Sequence, residues 1–445
     1  MISRQEYEVK KKKISQELQA KSKYGHIALH KKTSNVFRER TTNKKSRIDV
    51  STFTNVISID TKNEIAYVEG MTTFEDFVAE TLKVGYMPAV VPELKLITIG
   101  GAVTGIGIES SSFKEGLLHE TITEMEILLA DGSVATCTKT NKHKDLFFGF
   151  ANSYGTLGYA LILGVRLVKV KPYVKLTHIK HTNSKKYFSE LKDICLNKQV
   201  DFVDGTVFSE KEMYITVGTF VSKAPHTSDY TYKQIYYKSI QRKQTDYLTI
   251  YNYIWRWDTD WFWCSKLFFA QNPIIRFLFG KKRLHSKTYH AIRKWNLKYK
   301  VMDRVRFWAK PNEQVVQDVQ IPIDESESFL THFFKKIPIR PIWICPTKMV
   351  HSKEDYVLYP LDQKKLYVNF GFWDSVASPS LKHFNRIVEQ EVQEHKGAKS
   401  LYSEVYYDKK KFWQLYNKKA YDALKTKYDA NKVFLNLYDK CVGRK

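Results

Sequence analysis

Four glycines and three serines lie within one short segment, residues 98–112, which reads TIGGAVTGIGIESSS. The glycines are Gly100, Gly101, Gly105 and Gly107, and the serines are Ser110, Ser111 and Ser112. Glycine permits positive φ and close approach of backbone to a ligand, and exposed N–H groups with hydroxyls form a concavity that binds anions. The segment therefore suits a diphosphate. A tight glycine turn in a β-rich domain is the alternative that these residues leave open.

The segment matches neither of two common phosphate-binding motifs. No Gly-Lys-Ser/Thr follows it, as a Walker loop requires, and the G-x-G-x-x-G of a dinucleotide-binding strand–helix unit is missing. The residues alone therefore predict a phosphate site without identifying the cofactor.

Aromatic residues are dense between residues 247 and 269, in the run YLTIYNYIWRWDTDWFWCSKLFF. Such a run suits the wall of a lipid tunnel or a membrane-facing lip, and the alternative is an ordinary domain core. The run also holds Asp258 and Asp260. These carboxylates are either ion-paired with Arg256 and Lys266 or kept as acids with a raised pKa, and we expect pairing for at least one.

The elements that position these segments follow from apolar spacing and turn residues. Residues 1–25 predict a basic helix and residues 74–84 an amphipathic one. Residues 124–138 predict a hairpin around Asp131-Gly132, and residues 157–170 predict a buried strand. Further on, the predicted helices are 185–195, 326–336, 381–394 and 409–416, and the predicted strands are 213–220, 315–321, 342–345 and 366–370.

Length and composition indicate a globular protein of several parts. The chain has 445 residues, 43% hydrophobic and 27% charged. No stretch approaches the roughly 18 uninterrupted apolar residues of a membrane helix, and no secretory signal is evident. Five scattered cysteines without a C-x-x-C pair indicate neither a disulfide framework nor a zinc site, and we predict no bound metal. We expect a cytoplasmic protein.

The formal net charge is +25. No zinc-finger or RNP element accompanies the lysines, which are spread from end to end, so we expect no nucleic-acid partner. We expect compositional bias together with a weak, peripheral preference for anionic membrane surfaces.

Residues 91–120 resemble the flavin-binding segment of the sterol Δ24-reductases, a family within the vanillyl-alcohol-oxidase (PCMH-type) FAD superfamily. Residues 145–178 resemble the second flavin-domain stretch of that family. Further resemblance lies in NPIIRFLFG (272–280), PIWICP (341–346), LYSEVYYDKKKFW (401–413) and LYDKC (437–441). Residues 30–40 and 255–266 are more similar to bacterial FAD-binding oxidoreductases that reduce a methylene group on a fatty acyl chain to a methyl branch.

The resemblance implies an α+β fold with FAD as cofactor. A basic N-terminal helix (1–25) would precede a PCMH-type FAD-binding domain (26–175), a second α+β substrate or cap domain (176–400) and a C-terminal segment (401–445) that returns to the flavin. The implied FAD-lining residues are Thr98, Gly100, Gly101, Thr104, Gly105, Gly107, Ile108, Ser110, Ser111, Ser112, Gly155, Thr156, Leu157 and Gly158.

The first diphosphate loop of the superfamily would fall at residues 29–38. Its phosphate partners would be Lys32, Ser34, Asn35 and Arg38, with an ordinary solvated basic loop as the alternative. The loop has no Gly-Gly-His, so we expect non-covalent FAD, although His26 and His30 lie near.

An isolated alkene is not electrophilic, so its reduction needs a positioned acid in a dry cavity as well as a hydride donor. The candidate acids are Tyr402, Glu404, Asp258 and Glu109. The positive charge of Lys440 could stabilise negative charge on the reduced flavin. The plain alternatives are packing for Tyr402, a surface ion pair for Glu404 and a solvated tail residue for Lys440. No nicotinamide-binding fingerprint is present, so either NADPH binds transiently as electron donor or a partner protein takes its place.

The predicted function is reduction of an isolated C=C bond of a lipid, either a sterol side chain or a methylene-branched fatty acyl chain. One alternative is an FAD-dependent dehydrogenase or oxidase of a sugar or alcohol. The other is a flavoprotein that binds lipid without turnover.

Overall fold

The computed structural model describes residues 2–31, 37–38, 46–299, 312–351, 355–380 and 383–442. Within them the α-helices are α1 (Arg4–Lys21), α2 (Phe74–Leu82), α3 (Ile99–Gly105), α4 (Ser112–Glu115), α5 (Lys144–Gly149), α6 (Ser184–Asn197), α7 (Tyr236–Ile240), α8 (Ile250–Ile254), α9 (Pro273–Phe279), α10 (Ser286–Tyr299), α11 (Ser326–Lys336), α12 (His383–Glu394), α13 (Lys409–Leu415), α14 (Lys418–Tyr428) and α15 (Leu437–Cys441). Each is too short or too polar to serve as a bilayer-spanning segment.

Two larger antiparallel sheets and one small parallel pair make up the β structure of the described residues. The strands are β1 (Ile27–His30), β2 (Ser46–Asp49), β3 (Val56–Asp60), β4 (Ile65–Glu69), β5 (Tyr86–Pro88), β6 (Ile122–Leu128), β7 (Val134–Thr138), β8 (Tyr159–Lys169), β9 (Tyr173–His181), β10 (Phe202–Ser209), β11 (Glu212–Val221), β12 (Thr245–Thr249), β13 (Asn312–Pro322), β14 (Ile342–Thr347), β15 (Tyr367–Ala377) and β16 (Ala398–Lys399). Short 3₁₀ helices lie at Ser22–Tyr24, Leu118–Thr121, Cys264–Phe268, Lys281–Arg283 and Ile323–Glu325.

The first sheet has the order β3-β4-β8-β6-β7, with β5 on the far end of β8. The predicted hairpin is confirmed as β6–β7. Its turn places Gly132 at φ 84°, a conformation that glycine adopts without strain, and the Ser133 N–H donates to Oδ1 of Asp131 at 2.8 Å. The buried strand predicted at residues 157–170 is β8, which pairs with both β4 and β6.

The second sheet has the order β12-β9-β11-β10-β14-β15-β13-β16. Helices α6, α11 and α12 cover one of its faces and bury Leu191, Phe333 and Val388. From the other face, Trp343 and Trp373 join the hydrophobic cluster that also contains the core of the first sheet. The two sheets therefore share one core, and a cavity lies where they meet.

The predicted basic N-terminal helix is α1, and it packs against the first sheet. Ser3 and Glu6 form a capping box at its start, and Tyr7 is buried. Its cations pair with buried carboxylates of that sheet: Lys10 with Glu69, and Arg4 and Lys11 with Glu126. These ion pairs between cations of α1 and buried carboxylates help to hold the helix against the first sheet.

The C-terminal segment returns to the first sheet. The Lys425 ammonium donates to the carbonyl of Thr156 at 2.8 Å, and the Ile27 N–H donates to the carbonyl of Val433 at 2.9 Å. These contacts bring residues after 400 to the same end of the first sheet as β1.

Candidate active site

A cavity of about 600 Å³ lies between the two sheets and the C-terminal segment. Its walls come from β1, the region of α3, the loop before β8, strands β13, β14 and β15, and residues after 400. A cavity of this size is in the usual range for small-molecule and cofactor sites.

The glycine segment forms helix α3 and the turns that flank it. The segment residues that line the cavity are Thr98, Gly100, Gly101, Thr104, Gly105, Gly107 and Ile108. None of its four glycines has a positive φ, so that part of the sequence argument does not apply. Two of the glycines allow close packing within the protein, because a Cβ on Gly100 would lie 2.7 Å from the carbonyl oxygen of Gly70, and one on Gly107 would lie 2.8 Å from a methyl carbon of Leu118.

The three serines of the segment turn away from the cavity. The Ser111 hydroxyl donates to the carbonyl of Ala89 at 2.7 Å, and the Ser112 hydroxyl accepts from the Glu109 N–H at 3.0 Å. Ser110 lies 2.9 Å from the hydroxyl of Tyr253. All three are buried and brace the turn after α3, so the structure places them behind the cavity wall.

The loop before β8 contributes Gly155 and Gly158 to the cavity wall. Their φ angles are 70° and 144°, a region that favours glycine. Thr156 and Leu157 lie between them but are buried off the lining, and the Thr156 hydroxyl donates to the carbonyl of Ser153 at 2.7 Å. Of this predicted set, the two glycines alone reach the cavity.

Cationic side chains reach the same cavity. Lys31, Arg38, Arg47 and Lys440 are among its lining residues. The Arg38 guanidinium donates to the carbonyl of Leu401 at 3.0 Å, and it lies 5.4 Å from the centre of the Tyr154 ring. The predicted partners Lys32, Ser34 and Asn35 lie outside the described residues.

These residues fit a dinucleotide cofactor. A diphosphate needs cations and backbone that can approach it closely, and the cavity has both. Gly101 is exposed and lines the cavity, and a Cβ there would lie 2.8 Å from the Thr98 hydroxyl oxygen. His26 and His30 are exposed and do not line the cavity.

Tyr402 and Asp318 form a hydrogen-bonded pair on the cavity wall. The Tyr402 hydroxyl donates to Oδ2 of Asp318 at 2.7 Å and accepts from the indole N–H of Trp373 at 3.1 Å. Oδ1 of Asp318 accepts from the Asn369 amide at 2.7 Å. Burial raises the pKa of Asp318 to about 6 despite these hydrogen bonds, so this carboxyl can hold a proton near neutral pH.

Asp318 is absent from the candidates that the sequence alone identified. Its signal was present, because a carboxylate interrupts the apolar run of β13 between Val316 and Val319. A charged residue inside an otherwise buried strand needs a partner or a function.

The other predicted acids lie off the cavity lining. The Asp258 carboxylate accepts from the Lys95 N–H at 2.9 Å and from the Ser286 hydroxyl, and burial raises its pKa. Glu404 accepts from the hydroxyl of Tyr406. Both are near the site without facing the cavity.

Glu109 belongs to a buried charge cluster around Arg256. The guanidinium lies 2.7 Å from Asp204, 3.4 Å from Glu109 and 3.7 Å from Glu93. One cation faces three carboxylates, and all four side chains are buried. Burial and the neighbouring Glu109 raise the pKa of Glu93 well above its ordinary value, and Glu93 lines the cavity as a second proton-bearing group that sequence reasoning missed.

The aromatic run at residues 247–269 is mostly core. Trp257 and Trp263 are among the most buried side chains of the protein, whereas Trp261 and Phe262 line the cavity. These two consecutive residues have φ angles of 46° and 60°, which is costly for bulky side chains and typical of functional sites. The ring of Phe262 lies 4.2 Å from that of Trp373 across the wall.

At least one carboxylate of the aromatic run is ion-paired, as predicted, but the partners observed differ from those predicted. Asp260 pairs with Arg276 at 2.7 Å, and Lys266 pairs with Asp374 at 2.6 Å. Arg256 turns to the cluster with Glu93, Glu109 and Asp204 instead. Side chains that are adjacent in this irregular segment point in different directions. Their spacing in the sequence therefore did not identify which residues form ion pairs.

Comparison with known proteins agrees with this geometry. A family model described as an FAD binding domain matches residues 13–138, which contain α3 and most of the first sheet. The chain carries an FAD-binding domain. This match, on a framework of mixed helices and antiparallel sheets, confirms the predicted α+β, PCMH-type fold class.

The chain is also similar to Delta(24)-sterol reductases along most of its length. It is 29% identical to the human protein over 410 residues, which cover 86% of this chain and 75% of the human one. It is 28% identical to the Pisum sativum protein over 455 residues, covering 89% and 76% of the two chains. A Caenorhabditis elegans homolog is 24% identical over 412 residues, covering 86% and 77%. The similarity to these proteins therefore extends well beyond the residues that the FAD binding domain model matches.

Proposed function

We propose that this chain is an FAD-dependent oxidoreductase that reduces an isolated C=C bond of a lipid. The observation that carries the proposal is the similarity to Delta(24)-sterol reductases over 86% of the chain, together with the FAD-binding domain. The chemistry of the cavity supports it, because one cavity brings together cations, glycines, an aromatic wall and the hydrogen-bonded pair of Asp318 and Tyr402.

The glycines around α3 and the cations Arg38 and Lys440 would hold FAD. When bound and reduced, FAD supplies the hydride equivalent that an alkene carbon must receive. Gly101, Gly105 and Gly155 leave room for the cofactor, and Arg38 offers donors to its phosphates. Lys440 would place positive charge beside the negative charge of the reduced cofactor.

Asp318 would supply the proton that the second alkene carbon receives. Its pKa of about 6 keeps a useful fraction protonated near neutral pH, and Tyr402 and Asn369 fix its orientation. The surrounding rings of Trp261, Phe262 and Trp373 would exclude water from the reacting carbon, since protonation of an alkene competes with protonation of solvent.

The proposed substrate is a long apolar lipid with an isolated alkene, and the proposed electron donor is NADPH. A sterol side chain and a methylene-branched acyl chain are both long, apolar and alkene-bearing, as the aromatic wall requires. NADPH would reduce the cofactor from a transient site, because the sequence carries no nicotinamide-binding fingerprint.

Lipid extracts of a host that expresses the chain would test the function and choose the substrate. Loss of 10-methylene acyl chains, or of Δ24 sterols supplied in the medium, with gain of the saturated product would support reduction and identify the lipid. The matched control is Asp318→Asn, expressed at the same level with its flavin retained, which should leave the alkene in place. Unchanged lipids together with steady oxidation of a sugar or aromatic alcohol would replace the proposal with the oxidase alternative.

A further inference from the structure

Four large apolar side chains stand out from the surface in one short stretch, which we call the apolar ridge: Phe269, Ile274, Phe277 and Leu278. They are 59%, 72%, 72% and 69% exposed. Single exposed apolar residues are ordinary on proteins, whereas several together mark a surface that contacts something else. The exposed apolar surface therefore follows the aromatic run that sequence analysis associated with a membrane-facing lip.

The ridge is held outward by the rest of α9. Ile274, Phe277 and Leu278 follow i, i+3, i+4 spacing on one face, and Arg276 points the other way. The buried Arg276 guanidinium pairs with both carboxylate oxygens of Asp260, at 2.7 and 3.0 Å. The Asn272 side chain caps the start of the helix by accepting from the Ile274 and Ile275 N–H groups. The apolar face is thus fixed toward solvent by a buried ion pair and a cap.

Basic residues flank the ridge. Lys281, Lys282 and Arg283 follow α9 directly and are exposed. Lys281 pairs with Asp229, and in the described residues neither Lys282 nor Arg283 has a carboxylate partner. An apolar face beside unpaired cations is complementary to an anionic lipid surface, which offers hydrocarbon below and negative headgroups above.

Aromatic rings connect the ridge to the cavity. Phe279, at the end of α9, lies 6.3 Å from Tyr289, and Tyr289 lies 6.4 Å from Trp261, ring centre to ring centre. Phe268 stacks on Tyr289 at 5.2 Å and lies 6.5 Å from Trp261. Trp261 lines the cavity. The ridge and the candidate active site are therefore two ends of one aromatic layer.

We propose that the apolar ridge inserts into the surface of an anionic phospholipid bilayer, with Lys282 and Arg283 on the headgroups. The further step, that a lipid alkene passes along the aromatic layer to the cavity, rests on the function proposed above. Membrane docking itself does not depend on that function, so the two can fail separately.

Vesicle sedimentation would test the docking surface. The FAD-loaded protein is mixed with phosphatidylcholine vesicles that contain or lack phosphatidylglycerol, at low and high NaCl. We expect binding to the anionic vesicles, weakened by salt because exposed charge attraction is screened. Phe277→Glu with Leu278→Glu should lower the partition coefficient about tenfold or more, since two exposed side chains lose their transfer to hydrocarbon.

Matched control variants distinguish binding through the apolar ridge from a general effect of net charge or of exposed apolar surface. Leu196→Glu removes an exposed leucine of α6, and Lys185→Glu with Lys186→Glu removes two exposed cations there. We expect both control variants to bind as the unchanged protein does, whereas Lys282→Glu with Arg283→Glu should lose the preference for anionic vesicles. Binding that survives the ridge variant, or that falls equally in the controls, would overturn the proposal.

Two further results would also overturn it. One is that the unchanged protein binds neither vesicle. The other is that Phe277→Glu with Leu278→Glu abolishes self-association in sedimentation velocity while vesicle binding persists, which would make the occupant a second copy. Flavin oxidation by a detergent-dispersed alkene, measured in parallel, shows whether the reductase function stands whatever the vesicle result.

Discussion

The Tyr402 hydroxyl donates a 2.7 Å hydrogen bond to Asp318 at the wall of the cavity, although the two residues lie 84 positions apart in the chain. Strand β13 carries the carboxylate, and the segment after β16 carries the phenol. The pair joins the second sheet to the C-terminal segment at the point where the proposed reaction needs a proton.

Substitution of this pair should separate chemistry from cofactor binding. Asp318→Asn should lower the rate of alkene reduction about 10²–10⁴-fold, the usual contribution of a positioned acid, with FAD retained. Tyr402→Phe should lower it less, because the carboxyl remains. Tyr214→Phe is the control, since its hydroxyl donates to Glu212 at 3.1 Å and does not line the cavity. Full activity of Asp318→Asn in single-turnover assays would remove Asp318 from the mechanism.

The pH dependence of kcat/KM should report the same carboxyl. If protonated Asp318 is the acid, the rate is constant below about pH 6 and falls about tenfold per pH unit above it. Tyr402→Phe should move the inflection upward, because the hydrogen bond from Tyr402 lowers the pKa of Asp318 and the variant lacks that bond. Rates that stay flat through pH 6 and fall only at higher pH would favour Glu93, whose pKa lies well above its ordinary value.

Cofactor binding should depend on the glycines of α3. A valine at Gly101 would place a branched side chain 2.8 Å from the Thr98 hydroxyl and into the cavity, so Gly101→Val should yield folded, colourless protein. The control is Ala79→Val, which introduces valine at an exposed position of α2, and this variant should stay yellow. Acid treatment of the yellow protein should release FAD. Flavin that remains in the acid pellet would instead indicate a covalent link.

Stability should depend on the buried cation at Arg256. Arg256→Met would leave Glu93, Glu109 and Asp204 buried without a positive partner, and we expect a loss of about 3–5 kcal/mol in the free energy of unfolding. In this variant the pKa of buried Glu93 rises further above its unfolded value, because the Arg256 charge that lowers it is lost, so the stability should rise as pH falls. Urea unfolding at two pH values measures this dependence, with the exposed Arg242→Met as control. A free energy of unfolding of Arg256→Met that stays constant or falls as pH falls would contradict a charged carboxylate cluster at this site.

The regular elements and the cofactor could be predicted from sequence because they rest on local signals. The spacing of apolar residues predicted α2, α6 and β8, and the glycine segment with its resemblance predicted FAD, which the FAD-binding domain match confirms. The assignment of individual site residues and the domain boundaries stay predictions. Within the glycine segment the residues predicted no regular element, and Ile99–Gly105 form helix α3, whose Gly100 packs onto Gly70 across the fold.

Pairings across the fold could not be predicted in the same way. Asp260 meets Arg276, and Asp318 meets Tyr402, through the path of irregular chain and the register of the second sheet. The aromatic run was expected as a lipid wall or as core, and it divides between both: Trp261 and Phe262 face the cavity, while Trp257 and Trp263 are buried. Composition alone does not distinguish these positions.

The most direct measurement is an anaerobic single turnover of the purified, FAD-loaded protein. The flavin is reduced chemically, and a detergent-dispersed Δ24 sterol or 10-methylene acyl lipid is added while absorbance and lipid mass are followed. We predict that flavin absorbance returns as a product two hydrogen atoms heavier appears, one per FAD, with one of the two lipids. Flavin that stays reduced with both lipids and yields no saturated product would contradict the proposed reductase function.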